Sequence, residues 1–305
     1  MFVIILEKRE FMKIVFMGSP DYAVKILDNL NKFFEIVAIY TQPDKPVGRK
    51  KILTPTPVKK YAIENNLKVF TPTTLKGENV GRFNPDFIVV AAYGLLLPKE
   101  VLEVAPCINL HASLLPKYRG ASPIQSAILN GDKYTGVTSM LMDEGLDTGD
   151  ILTWDYTDVG NKTSIDLFEE LAEIASNQII YTINNFSSIT PLKQNDILAT
   201  YSPKIKKEDG YVDFQDALIM DRKYRAFKPW PGIFCDKFKI NEMELLDTNS
   251  ENEKGKILKI DDGVVVGCKK GRVKLIKVQV PGKKEVRAVD YVNGKRLKIG
   301  DNILI

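Results

Sequence analysis

From Met12 to about Asn185 the chain alternates short apolar runs with helical segments, and that alternation restricts its fold more than any other feature. Lys13 to Met17, Glu35 to Tyr40, Leu67 to Phe70, Phe87 to Ala92 and Cys107 to Leu110 are rich in Val, Ile and Phe. Between them lie Pro20 to Phe33, Pro57 to Asn65 and Lys99 to Val104, which have helical character. Strands separated by helices predict βαβ units, hence an α/β, doubly wound, mostly parallel sheet of Rossmann-like type with both faces covered. The first run ends Met17-Gly18-Ser19-Pro20-Asp21, without the G-x-G-x-x-G series that lets a backbone approach a pyrophosphate, so no dinucleotide is expected there.

The same texture continues with a helix expected over Ser122 to Leu129 and strands over Gly136 to Met142 and Asp150 to Asp155. A longer helix opens with Thr163 and Asp166 in capping-box spacing and runs through Leu167, Leu171, Ile174, Ile179 and Ile183. A chain of 305 residues exceeds the usual size of one domain. Residues 12–186 are read as the first, catalytic domain. Residues 187–210, with Pro191, Pro203, Lys204, Lys206 and Lys207, are read as a connection, and residues 211–305 as a second domain. In the second domain a short helix around Ala217 to Phe227 precedes Pro229-Trp230-Pro231-Gly232, expected as a buried packing turn. Strands over Ile233 to Phe238, Lys256 to Asp261, Gly263 to Cys268, Val273 to Val280 and Asn302 to Ile305 suit a small antiparallel, OB-like β-barrel.

Met12-Lys13-Ile14-Val15-Phe16 reads as a natural opening strand, so residues 1–11 are expected to be an extension, with an extra edge strand as the alternative, and their charged stretch Glu7-Lys8-Arg9-Glu10 does not suit a signal peptide. No run approaches the roughly 20 apolar residues of a membrane helix. The cysteines Cys107, Cys235 and Cys268 form no close pairs, which favours a reducing cytoplasm over disulfides or structural zinc, and no metal site is expected.

Charge is uneven. Between Thr41 and Lys60 the cations Lys45, Arg49, Lys50, Lys51, Lys59 and Lys60 face one acid, Asp44. From Gly255 onward there are 13 Lys/Arg against 5 Asp/Glu. Two separate basic regions suit a polyanionic partner such as nucleic acid, although a solvated surface has the same composition. The Thr41 to Lys60 segment is expected to be a mobile loop, because charged, proline-punctuated sequence buries little apolar surface.

The single histidine, His111, follows Asn109 by two residues, which on a strand places both side chains on one face. Imidazole titrates near neutral pH, and an amide beside it can donate to a developing oxyanion. If the glycine-rich loop Asp143 to Asp150 also follows the carboxyl end of a strand, Asp147 can reach the imidazole and one cleft can hold all three. That set suits acyl transfer through a tetrahedral intermediate.

The segments Gly18-Ser19-Pro20, Thr41 to Pro46 with Gly48-Arg49, Asn109-Leu110-His111, Ser113 to Pro116, Asp143 to Asp150, Arg225 to Gly232 and Val278 to Lys284 are similar to those of the methionyl-tRNA formyltransferases, a group of folate-dependent formyltransferases. The resemblance implies that 10-formyltetrahydrofolate is the donor and that the acceptor is the α-amine of methionyl initiator tRNA. It assigns catalysis to Asn109, His111 and Asp147, and folate binding to Ser113, Leu114, Leu115, Pro116, Asp143 and Gly145. It further implies tRNA contacts from Lys45, Arg49, Lys50, Lys51, Lys204, Lys206, Lys283 and Lys284, with the chain acting as a cytoplasmic monomer. Lys45 stands where many relatives carry arginine, which keeps the charge and loses the planar fork. A formyltransferase acting on an amino-sugar nucleotide would share the His111 segment without needing the basic regions, and a noncatalytic RNA-binding protein would need only the latter.

Overall fold

The computed structural model describes residues 11–48 and 50–305, so the expected extension lies, apart from Phe11, outside the described residues, as does Arg49. In chain order the first elements are β1 (Lys13–Gly18), α1 (Asp21–Phe33), β2 (Glu35–Tyr40), β3 (Lys45–Val47), β4 (Ile52–Thr54), α2 (Pro57–Glu64), β5 (Val69–Phe70) and β6 (Phe87–Ala91). There follow α3 (Lys99–Leu102), β7 (Cys107–His111), β8 (Arg119–Gly120), α4 (Pro123–Asn130), β9 (Tyr134–Leu141), β10 (Ile151–Asp158), α5 (Ser164–Asn184) and β11 (Tyr201–Ser202). The remainder is α6 (Ala217–Ala226), β12 (Ile233–Phe234), β13 (Lys239–Glu251), β14 (Ile257–Ile260), β15 (Val264–Gly267), β16 (Lys270–Gln279), β17 (Val286–Arg287) and α7 (Ala288–Gly294). Among the described residues no helix is long and apolar enough to cross a membrane.

Contacts group the chain into two units. One takes the described residues up to Gly120 together with 135–157 and 168–201; the other takes 121–134, 158–167 and 202–305. In the first, seven strands pair in the order β10-β9-β7-β6-β1-β2-β5. β1 lies parallel to β2 and β6, β2 to β5, and β6 to β7, which is the doubly wound, mostly parallel sheet expected from the alternation. β6 and β7 are buried along their whole length, as continuous apolar runs in a sheet covered on both faces should be. The capping box at the start of α5 forms: Asp166 accepts from the Thr163 backbone N–H at 2.8 Å, and the Asp166 N–H donates to the Thr163 hydroxyl at 3.4 Å.

The segment expected as a mobile loop carries a short hairpin. β3 and β4 pair antiparallel from Lys45–Thr54 to Val47–Ile52, and the positive φ of Gly48 and Lys51 turns the chain between them. The hairpin packs little: Val47, Ile52 and Leu53 are all exposed.

All three cysteines are buried and free. Burial pushes the Cys107 and Cys268 thiols up from 9.0 to about 12 and raises that of Cys235 as well. Because the fold favours the protonated thiol, this contribution to stability is complete below pH 9.0 and is lost as pH rises toward about 12. A thiol reagent at pH 8 is therefore expected to label these cysteines only after denaturant is added; labelling of the native chain at the rate of the unfolded one would contradict their burial.

In the second unit an antiparallel sheet runs β12-β13-β16-β15-β14, with β17 on β16. Its longest strand, β13, is absent from the sequence reading because its ladder with β16 shifts register four times, so its apolar residues lose the period of two; buried Ile240 and Met243, for example, are three apart. Two expectations are corrected. Asn302 to Ile305 is not a strand: Asn302 makes one isolated bridge to Lys256, and its apolar character reflects Ile303, which is fully buried within a turn. Pro229 to Gly232 is not a buried turn either, since Trp230 is 56% exposed and Pro231 alone of the four is buried.

Candidate active site

β7 delivers two of the three expected side chains to one side of the sheet. Asn109 Nδ2 donates to Asp147 Oδ1 at 3.5 Å, and His111 Nδ1 lies 3.7 Å from Asp147 Oδ2. The same Oδ2 accepts the Gly120 backbone N–H at 2.8 Å. Asn109 and His111 are buried, so the charges between these groups act with little screening by water. The other imidazole nitrogen, Nε2, is 2.8 Å from the Tyr118 carbonyl oxygen. A carbonyl can only accept, so Nε2 holds its proton there and Nδ1, which faces the carboxylate, is the nitrogen able to take or release one.

Asp147 arrives by a route that differs from the one expected. β9 is antiparallel to β7, with Leu141 opposite Ile108 and Thr138 opposite His111, so the loop after β9 starts at the amino end of β7. Before β10 begins, the Leu141 N–H donates to the Asp150 carbonyl at 2.9 Å. A side chain on Gly149 would run into the Leu141 carbonyl oxygen, so the loop can hug β9 only with glycine there. Asp147 itself adopts a left-handed backbone, φ 53°.

The expected folate residues divide into groups that shape the site and groups at its surface. The Ser113 hydroxyl is buried and donates to the Lys117 carbonyl at 2.6 Å. Thr138 of β9 donates its hydroxyl to the Ser113 carbonyl at 2.7 Å and accepts the Leu115 N–H at 3.1 Å, and Leu115 packs on Met140 and Ile151. Ser113 and Leu115 thus build the turn, while Leu114 and Pro116 are half-buried. Asp143 and Gly145 are exposed, and the Asp143 carboxylate accepts from the Gly145 N–H at 2.9 Å and the Thr148 hydroxyl at 2.6 Å.

The basic residues expected to meet tRNA lie at the surface. Lys45, Lys50, Lys51, Lys204, Lys206, Lys283 and Lys284 are all exposed. The positive tail counted from sequence is partly neutralised on β16: Arg272 pairs with Asp247 at 2.5 Å, Lys274 with Asp262 at 2.6 Å and Lys277 with Glu242 at 2.6 Å. Lys283 and Lys284, in the turn after β16, join no ion pair among the described residues.

Sequence reading missed Tyr118 and Gly120, which act through backbone atoms, and two buried side chains, Arg119 and Gln194, that contact each other. The last pair is 75 residues apart in the chain, and no spacing rule links them.

Residues 12–183 match the family model described as Formyl transferase, and residues 204–296 match the Formyl transferase, C-terminal domain. The chain belongs to the formyl transferase family. Among formyl transferases it is 56% identical to the methionyl-tRNA formyltransferase of a Nitratiruptor species over 299 residues, 95% of this chain and 99% of the relative. That of Sulfurimonas denitrificans is 51% identical over 301 residues, 96% of this chain and 100% of the relative. The fold is shared with a solved N-formyltransferase from Helicobacter canadensis, in complex with folinic acid and dTDP-3-aminofucose, at TM-score 0.67 and 20% identity over 87% of this chain and 98% of that one. HypX from Aquifex aeolicus, in complex with tetrahydrofolic acid, gives TM-score 0.63 and 16% identity over 95% of this chain and 48% of that one.

Proposed function

We propose that this formyl transferase moves the formyl group of 10-formyltetrahydrofolate to the α-amine of methionyl initiator tRNA, working in the cytoplasm as a monomer. The convergence of Asn109 and His111 on Asp147 carries the chemical part of this reading, and the near-full-length identity to relatives named methionyl-tRNA formyltransferase carries the acceptor.

The amine is itself the nucleophile, so the chain's task is to position the reactants and stabilise charge. Asn109 makes one long hydrogen bond among the described residues, which leaves amide donor capacity for the formyl oxygen as it becomes an oxyanion. The proton released by the attacking amine passes to the Asp147 and His111 Nδ1 pair, whose atoms lie 3.7 Å apart. The segments Ser113 to Pro116 and Asp143 to Gly145 hold the folate, through backbone and half-buried apolar surface more than through the Ser113 hydroxyl, which is engaged within the turn.

For the tRNA, Lys45, Lys50, Lys51, Lys204, Lys206, Lys283 and Lys284 are the proposed phosphate contacts, with Arg49, outside the described residues, beside them in sequence. Lys283→Ala and Lys284→Ala are each expected to lower the slope of log binding constant against log salt by about 1 and to leave kcat at saturating tRNA unchanged. Arg272→Ala should change that slope less, because its guanidinium is already paired with Asp247. Equal slopes for all three variants and the wild type would overturn the phosphate assignment.

The deciding experiment offers 10-formyltetrahydrofolate with methionyl initiator tRNA, elongator methionyl-tRNA or an amino-sugar nucleotide. Transfer to the initiator tRNA supports the reading; transfer to the sugar alone overturns the acceptor, and no transfer overturns the enzyme assignment.

A further inference from the structure

Gln194 is buried, and every polar valence of its amide is used. Nε2 donates to two backbone carbonyls of the loop that carries the carboxylate, Asp147 at 2.9 Å and Gly149 at 2.7 Å. Oε1 accepts from Arg119 twice, from Nε at 3.1 Å and from Nη2 at 2.9 Å. Arg119 is 2% exposed, and its Nη2 also reaches Asp196 Oδ1, on a surface residue, at 2.8 Å.

We propose that Gln194 and Arg119 are positioning residues for formyl transfer, a clamp that fixes Asp147 against Asn109 and His111 by holding the backbone of its loop. Three observations carry this. First, Asp147 sits at φ 53°, a conformation that a side chain other than glycine adopts at a cost, so something must hold it; its own carbonyl is one of the two that Gln194 grips. Second, one dipeptide controls both ends of Asp147. The Gly120 N–H binds the carboxylate at 2.8 Å, while the neighbouring Arg119 reaches the backbone of the same residue through Gln194. Third, the clamp is charged where a merely structural bridge could be neutral. Burying a guanidinium is expensive unless its hydrogen bonds are met, and its charge polarises the Gln194 amide so that Nε2 becomes the better donor.

The clamp touches no reacting atom. Its effect passes through Asp147, and a misplacement of about 1 Å in such a group costs on the order of 100-fold in rate. Gln194→Leu removes both donors and the acceptor. Gln194→Glu keeps shape and the Arg119 acceptor but turns the two donors into an oxygen facing two carbonyls, so it carries the test if the leucine variant does not fold. Both should lower kcat about 100-fold with KM for tRNA within about twofold of wild type. In an Asp147→Asn background neither should lower kcat further, since the two changes remove one effect.

The proposal rests on the formyl-transfer reading, so hydrogen exchange of the amides of residues 143–149 is measured alongside activity. Faster exchange there in Gln194→Glu, together with the kcat loss and its absence in the Asp147→Asn background, supports the clamp. Wild-type kcat in Gln194→Glu, a loss that adds fully to that of Asp147→Asn, or unchanged exchange over 143–149 would overturn it. A wild-type chain that transfers no formyl sinks the enzyme reading instead, and the exchange measurement still decides whether Gln194 holds the loop.

Discussion

The chain carrying His111→Ala is expected to transfer formyl groups about 100- to 10,000-fold more slowly than the wild type while still binding tRNA. No second imidazole can take over, because the sequence has no other histidine. The substitution also removes the proton donor to the buried Tyr118 carbonyl, which costs about 1–3 kcal/mol of stability, so the thermal midpoint must be measured with the rate. Single-turnover transfer at saturating methionyl-tRNA separates chemistry from binding. A variant that folds, binds tRNA and turns over within a few-fold of wild type would end the assignment of acid/base work to this residue.

Asn109→Ala should be nearly as damaging, about 100- to 1,000-fold in kcat, the usual consequence of deleting one donor to a developing oxyanion. The loss should fall on kcat with little change in KM, because the interaction strengthens only as charge builds on the formyl oxygen. Asn109→Asp sharpens the test. It keeps the size of the side chain but offers an acceptor where a donor is required, and it places a second carboxylate beside Asp147. It should be at least as slow as the alanine variant; an aspartate variant faster than the alanine one would mean that Asn109 acts by filling space.

The first unit was legible because its information is local. Five apolar runs spaced by helices specify parallel pairing, and the two-residue step from Asn109 to His111 puts both on one face of β7. What stayed hidden depends on partners far away in the chain. The reversal of β9 against β7 decides from which end the Asp147 loop enters, and nothing within the loop encodes it. Gln194 lies in a stretch whose prolines and lysines read as a connection, yet it is buried against residues 45 to 75 positions earlier. In the second unit β13 escaped because bulges spoil its alternation, and the excess of cations in the tail overstated the free positive charge because β16 pairs its cations with acids from β13 and from the turn before β15.

The hydrogen bond from His111 Nε2 to the Tyr118 carbonyl has one more consequence. With a single histidine in the chain, every imidazole signal in a nitrogen-15 NMR spectrum comes from the reaction centre, and no assignment mutants are required. The two ring nitrogens then serve as separate reporters. Nε2 should show the chemical shift of a protonated nitrogen, while that of Nδ1 reports on its surroundings beside Asp147. Adding folate or methionyl-tRNA to such a sample lets the ring itself record which substrate changes its electrostatic surroundings, free of interference from the other 304 residues.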